Sequence, residues 1–153
     1  MSIESVLSAP ALLIRNFEKN DLEAVTSLMR ELNYPTTLNV MRERMEAMND
    51  NPLYGNLIAE VDGVVVGMIM LRQVKSFTMT EPVTQITSVI VTSSYRGQGI
   101  GKRLIRGAET WGRQHGSHLL FLTSGNREEL APAHAFYEHI GFEKAGYQFS
   151  KKL

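Results

Sequence analysis

Three glycines at alternate positions, Gly97, Gly99 and Gly101, separate a β-branched run from a helical pattern. Upstream, residues 86–91 read as a strand; downstream, Leu104, Ala108 and Trp111 recur at helical spacing. A chain that passes from strand to helix through such a turn must leave the first backbone N–H groups of the helix without intrahelical acceptors. The helix dipole adds partial positive charge at the same place, so the junction suits an anion. Without side chains at the three glycines, a pyrophosphate can approach the backbone, and Arg96, Lys102 and Arg103 surround it with mobile positive charge.

Two familiar phosphate loops do not fit. A P-loop needs a glycine where Arg96 stands and a serine or threonine where Arg103 stands. A dinucleotide fingerprint starting at Gly97 would need its third glycine at Lys102, and one starting at Gly99 would need it at Leu104. The apolar run that follows the helix, residues 119–123, has no acid to hold a ribose.

The chain in order reads as alternating elements. Leu12, Leu13 and Ile14 suggest a first strand. Asn20 with Glu23 forms a capping-box pattern ahead of a helix with Leu22, Val25, Leu28, Met29 and Leu32 on one face. Asn33-Tyr34-Pro35 ends that helix. A second helix is expected over 38–48, capped by Thr36 or Thr37, with Val40, Met41, Met45 and Met48 inward. Residues 57–61 and 64–71 are β-rich and joined by Asp62-Gly63, a two-residue hairpin turn. Residues 73–85 form a polar loop, 86–91 a strand, and 101–115 a helix ending at Gly116. Residues 119–123 read as a strand covered on both faces. Residues 130–140 form a helix with Pro132 in its first turn and Gly141 beyond its end. Residues 142–149 read as a closing strand or hairpin. The order β-α-α-β-β-β-α-β-α-β implies an α/β chain, a mixed sheet with helices on both faces.

At 153 residues there is room for one core. Residues 1–10 are expected to be a flexible leader and 11–153 a single domain. Sixteen basic and 16 acidic side chains leave no net charge, which argues against a nucleic-acid or anionic-membrane surface. There is no cysteine, so disulfides, thiolate metal sites and a cysteine nucleophile are excluded. A cytoplasmic location is the expectation, with neither a secretory signal nor an apolar run of membrane-spanning length. His115, His118 and His139 lack metal-ligand spacing with carboxylates, so no metal is expected.

The segment Arg96-Gly97-Gln98-Gly99-Ile100-Gly101 resembles the acyl-coenzyme A motif of the GNAT superfamily of N-acetyltransferases, Gln/Arg-x-x-Gly-x-Gly/Ala, with Arg96, Gly99 and Gly101 matching it. Further on, residues 133–142, Ala-His-Ala-Phe-Tyr-Glu-His-Ile-Gly-Phe, are similar to that family's Ala-x-x-Phe-Tyr-x-x-x-Gly-Phe segment. Two ordered motifs separated by a strand are more specific than either alone. The resemblance extends over almost the whole chain. It implies a GNAT-like central sheet, mixed and mostly antiparallel, whose strands at 86–91 and 119–123 splay to admit acetyl-coenzyme A. The residues implied to hold the coenzyme are Val89, Ile90, Val91, Arg96, Gly97, Gln98, Gly99, Ile100, Gly101 and Lys102, with Asn126 on the pantetheine arm and Tyr137 near the thioester sulfur. It also implies a homodimer formed through C-terminal strands.

The chemistry implied is transfer of acetyl to a primary amine of a small molecule or peptide, by direct attack through a tetrahedral intermediate. A phenol at Tyr137 suits protonation of the departing thiolate. A backbone N–H at the end of the 86–91 strand, from Val91 or Ile90, suits polarisation of the carbonyl. Relatives often carry a carboxylate on that strand; here Thr87 and Ser88 offer hydroxyls to hold a water that takes the amine's proton, with Glu81 and His134 as weaker bases. Tyr34, Phe77 and Glu81, and beyond them Glu31 and Tyr147, are the expected acceptor-binding side chains. The alternative is a coenzyme A-binding sensor that has lost catalysis.

Overall fold

The computed structural model describes residues 11–124 and 128–153. The expected leader, 1–10, lies outside the described residues. Five strands form one sheet in the order β1-β2-β3-β4-β5. They are β1 (Leu12–Asn16), β2 (Tyr54–Val61), β3 (Val64–Val74), β4 (Val83–Val91) and β5 (Leu120–Leu122). Neighbours from β1 to β4 are antiparallel, while β4 and β5 are parallel. The helices are α1 (Leu22–Glu31), α2 (Leu38–Asn49), α3 (Ile100–Gln114) and α4 (Ala131–His139).

Alternation along the strands divides the core into two layers. On one face, Leu57, Ala59, Ile69, Leu71 and Ile86 pack against Ile100, Leu104, Ile105 and Ala108 of α3, with Phe136 and Ile140 of α4 at the margin. On the other, Ile58, Met68, Met70 and Ile90 pack against Val25 and Leu28 of α1 and Met41 and Met45 of α2. β3 is the central strand, so Val66, Met68, Ile69, Met70 and Leu71 are all buried. The β2–β3 hairpin turns at Asp62 and Gly63, with φ of 49° and 83°, the pair of left-handed residues such a turn requires.

Local chemistry moves some boundaries. A 3-10 turn, Lys19–Asp21, precedes α1, and the Glu18 backbone N–H donates to Asp21 Oδ2 at 2.8 Å; the cap therefore uses Glu18 and Asp21 rather than Asn20 and Glu23. The same Asp21 carboxylate accepts two hydrogen bonds from Arg15, at 2.7 and 2.8 Å. Thr37 caps α2 by accepting from the Val40 N–H at 3.2 Å. Val40 is 37% exposed and so faces outward, against expectation, because the inward stripe of α2 runs through Leu38, Met41, Met45 and Met48 and leaves position 40 off it.

The last expected strand does not form. Gly141, at φ 103°, ends α4, and Phe142 packs edge-on to the Tyr137 ring at 5.8 Å. Glu143, Lys144 and Gly146 then offer no alternating apolar face to bury, and residues 142–149 carry no ladder. Tyr147 and Phe149 are exposed as a result. β5 thus lies at the sheet's edge, and its residues are half-buried rather than covered on both faces.

Two features shape the β4–β5 region. Gln73 Nε2 donates to Thr84 Oγ1, Thr84 Oγ1 to Ser117 Oγ, and Ser117 Oγ to Gln73 Oε1, at 2.8, 2.8 and 2.9 Å. This closed ring of mutually polarised hydrogen bonds ties β3, β4 and the approach to β5 together at one end. The second feature is a bulge. Met70 pairs with Ser88 but Leu71 pairs with Ile86, so Thr87 is an extra residue in β4.

Candidate functional site

The glycine turn has the geometry its spacing demands. Gly97 and Gly99 both lie at φ 79°, the left-handed region, and a Cβ built on either would meet nothing within 4 Å. Gly99 is the N-cap of α3 and has no side chain with which to cap it. The helix therefore presents its first N–H groups into open space, with Lys102 and Arg103 exposed in its first turn. Gly101 serves differently. It is helical, and a Cβ there would sit 3.4 Å from the Phe136 ring and 4.0 Å from Val91 Cγ2. A side chain of one methyl group would thus make ordinary contact with α4 and the end of β4, which pack close to the start of α3 here.

β4 opens toward β5 beyond the bulge. Among the described residues, the two strands pair only at Thr84–Leu120, Gln85–Phe121 and Ile86–Leu122, while β4 continues to Val91. The Thr92 N–H donates to Val66 O, toward β3, at 2.8 Å. Backbone groups alternate along a strand, so those of Ile90 and Ser88 also face β3, and those of Val91 and Val89 face the gap. Arg96 Nε on Val91 O, at 3.1 Å, agrees with this alternation. Of the expected carbonyl-polarising donors, Val91 faces the gap and Ile90 does not; the Ile90 side chain is buried under α1 and α2.

Tyr137 stands on α4 between Phe136 and Phe142, with ring centroids at 5.6 and 5.8 Å. Burial pushes its phenol above the ordinary tyrosine value, so it keeps its proton at neutral pH. His134, one turn earlier, lies 3.1 Å through Nε2 from Ser124 Oγ, across the passage from β5 to α4. Asn126 falls outside the described residues.

The two β4 hydroxyls differ. Thr87 is exposed and donates to Met70 O at 3.2 Å. Ser88 Oγ is buried without a hydrogen-bond partner, as is Asn56 Oδ1. Because Asn56 and Ser88 both pair with Met70, they flank it in one row on the α1–α2 face. Nothing in the sequence pattern singled out Asn56; its signal is a polar residue at an inward strand position.

The expected acceptor residues are dispersed. Tyr34, Phe77 and Glu81 are exposed, and Phe77 stands fully in solvent. Glu31 is committed elsewhere, accepting from the Ser93 N–H at 2.6 Å and from Thr92 Oγ1 at 2.9 Å. Among the described residues there is no cluster of three His, Asp or Glu side chains able to hold a metal ion, and no helix is long and apolar enough to cross a membrane. A cleft of about 350 Å³ lined by Thr84, Gly112, Arg113 and His118 lies at the other end of the β4–β5 pairing, away from the glycine turn.

The described residues bring together an uncapped helix N-terminus, the β4 edge at Val89 and Val91, and a protonated phenol on the adjoining helix. Residues 22–142 match the sequence profile of the acetyltransferase (GNAT) family, and the chain belongs to it. An aminoalkylphosphonate N-acetyltransferase of Salmonella typhimurium is 28% identical over 145 residues, 94% of this chain and 93% of that protein. N-acetyltransferase family 8 member 2 of Rattus norvegicus is 34% identical over 92 residues, and the match spans 60% of this chain but only 40% of that longer relative. In structure, the chain superposes on an aminoglycoside N-acetyltransferase, AAC(6')-Iy, in complex with CoA. The TM-score is 0.86 at 20% identity, over 95% of this chain and 96% of the other.

Proposed function

We propose that the chain transfers acetyl from acetyl-coenzyme A to a primary amine of a small polar molecule. The observation that carries this is the open cradle at Gly97 and Gly99, set at the start of α3 beside the free edge of β4. The residues present fit the coenzyme. The N–H groups of Gln98 to Lys102, with Arg96, Lys102 and Arg103, suit its pyrophosphate, and the free edge at Val89 and Val91 suits the amide-bearing pantetheine arm. Bound there, acetyl-coenzyme A supplies an activated acetyl thioester. The Val91 N–H polarises the acyl oxygen, and Tyr137 gives its proton to the sulfur as it departs. A water held at Thr87 Oγ1, the exposed hydroxyl of the pair, takes the proton from the amine.

The relatives named for aminoalkylphosphonates and aminoglycosides put those amines first among acceptors to try. Thiol release on mixing the chain with acetyl-coenzyme A and such amines is the test. The sequence of β4, Val83–Val91, contains no carboxylate, and this keeps a second reading in view, a coenzyme A-binding sensor. Binding of the coenzyme without amine-dependent thiol release selects it. We also propose a cytoplasmic setting and a homodimer, the dimer supported by the exposed Tyr147 and Phe149 of the C-terminal segment. Sedimentation of only a 17.2 kDa species at micromolar concentration would reject the dimer.

A further inference from the structure

Glu31 is the last residue of α1, and its carboxylate crosses to the loop between β4 and α3. Oε1 accepts from the Ser93 backbone N–H and lies 3.9 Å from Arg96 Nη2, while Oε2 accepts from Thr92 Oγ1. Arg96 is fixed from its other side by Val91 O. A residue of the α1–α2 layer is thereby fastened to the stretch that leads into the glycine cradle, on the far side of the sheet. The Ser93 N–H also holds the Glu31 carboxyl below the usual carboxylate range, so the fastening is ionised at neutral pH.

This acid is locally out of place. A carboxylate in the last turn opposes the helix dipole. A negative charge near a phosphate cradle also works against the ligand. Where a local rule is broken twice, a compensating gain elsewhere is the physical explanation to look for.

We infer that Glu31 is a positioning residue of the coenzyme site: it fixes Thr92, Ser93 and Arg96 so that the amides of Gln98 to Lys102 stand ready for the pyrophosphate. The inference rests on the function proposed above. Two effects compete when Glu31 is removed. Loss of its charge favours the anion, but the carboxylate is half-exposed and neighboured by Arg96, so screening leaves that gain small. Loss of the fastening frees a loop that binding must then order, and this cost recurs for each residue released. The second effect wins, and coenzyme A binds about tenfold more weakly.

The experiment compares the wild-type chain with Glu31→Gln and Thr92→Val, each checked for thermal unfolding. Titration calorimetry gives Kd for coenzyme A, and amide hydrogen exchange follows residues 92–99. The expected result is a Kd raised about tenfold in Glu31→Gln and less in Thr92→Val, with faster exchange at Ser93 in both. With S-acetyl-pantetheine, which lacks the pyrophosphate, Glu31→Gln should lose less kcat/KM than it loses with acetyl-coenzyme A. A Glu31→Gln Kd within twofold of wild type, or tighter, overturns the inference. An equal loss with the truncated donor does so too, since it would mean general damage to the site. Failure of the wild-type chain itself to bind coenzyme A would instead remove the function proposed above, and this inference with it.

Discussion

Adding one methyl group at Gly99 separates the cost to the fold from the cost to the ligand. Gly99 stands at φ 79°, and a Cβ there meets no protein atom within 4 Å. Gly99→Ala therefore brings left-handed strain of about 1–2 kcal/mol but no clash. For a chain of this length that lowers Tm by roughly 2–8 °C and leaves a folded protein. The same methyl group projects into the space in front of the α3 N-terminus. Holding the pyrophosphate away from one backbone N–H forfeits a hydrogen bond to a charged group, about 1.5–3 kcal/mol, so Kd for coenzyme A rises roughly ten- to hundredfold. The matched control is Gly63→Ala in the β2–β3 turn, where φ is 83° and the surrounding space is equally open. Both variants should lose similar thermal stability in a dye-monitored melt, and only Gly99→Ala should lose affinity by calorimetry. A folded Gly99→Ala chain that binds coenzyme A as tightly as Gly63→Ala would refute the assignment of the cradle.

Other substitutions probe neighbouring parts of the account. Gly101→Ala should retain coenzyme A binding and melt at the same or a higher temperature, because its Cβ makes ordinary contact with Phe136 and alanine favours the helix by about 1 kcal/mol; a lost affinity would show that Gly101 does clear room for the phosphate. Tyr137→Phe keeps the ring contacts with Phe136 and Phe142 and should lower kcat about 10²- to 10⁴-fold with Kd for coenzyme A unchanged, whereas a kcat within about twofold would leave the tyrosine a packing residue. Acid should weaken the fold through Asp21, whose carboxyl is held below its ordinary value of 3.8 first by the Arg15 hydrogen bonds. A depressed folded-state value means this stabilisation is present above the unfolded value and lost as pH falls through the folded one. Between about pH 5 and pH 2 the wild type should therefore lose more stability in urea than Asp21→Asn, and parallel losses would contradict the pairing.

Periodicity and turn chemistry made most of the architecture readable. Asp62-Gly63 could only be a tight hairpin, and the inward stripe of α1 and the apolar face of α3 were written in their spacing. The C-terminal segment was not readable, because aromatic residues at 142, 147 and 149 suggest a strand while forming one depends on a partner edge that no local pattern specifies. The exposure of β5 is tertiary for the same reason. Within the site, the alternating glycines pointed to the open turn at Gly97 and Gly99, yet the close packing at Gly101 depends on where Phe136 docks. Which β4 amides face the gap follows from the bulge at Thr87, a register feature without a sequence signature. Glu31 looked like a free carboxylate for an amine until the Ser93 N–H and Thr92 hydroxyl were found on it.

The most direct measurement incubates the purified chain with acetyl-coenzyme A and a panel of amines, aminoalkylphosphonates and aminoglycosides first. Free thiol is followed spectrophotometrically and N-acetylated product by mass spectrometry. Thiol release should require both the chain and an amine and be matched one to one by acetylated amine. Tight binding of coenzyme A with no acetylated product from any amine would contradict catalysis and leave a sensor. Absence of coenzyme A binding altogether would contradict the reading of the glycine cradle on which the account rests.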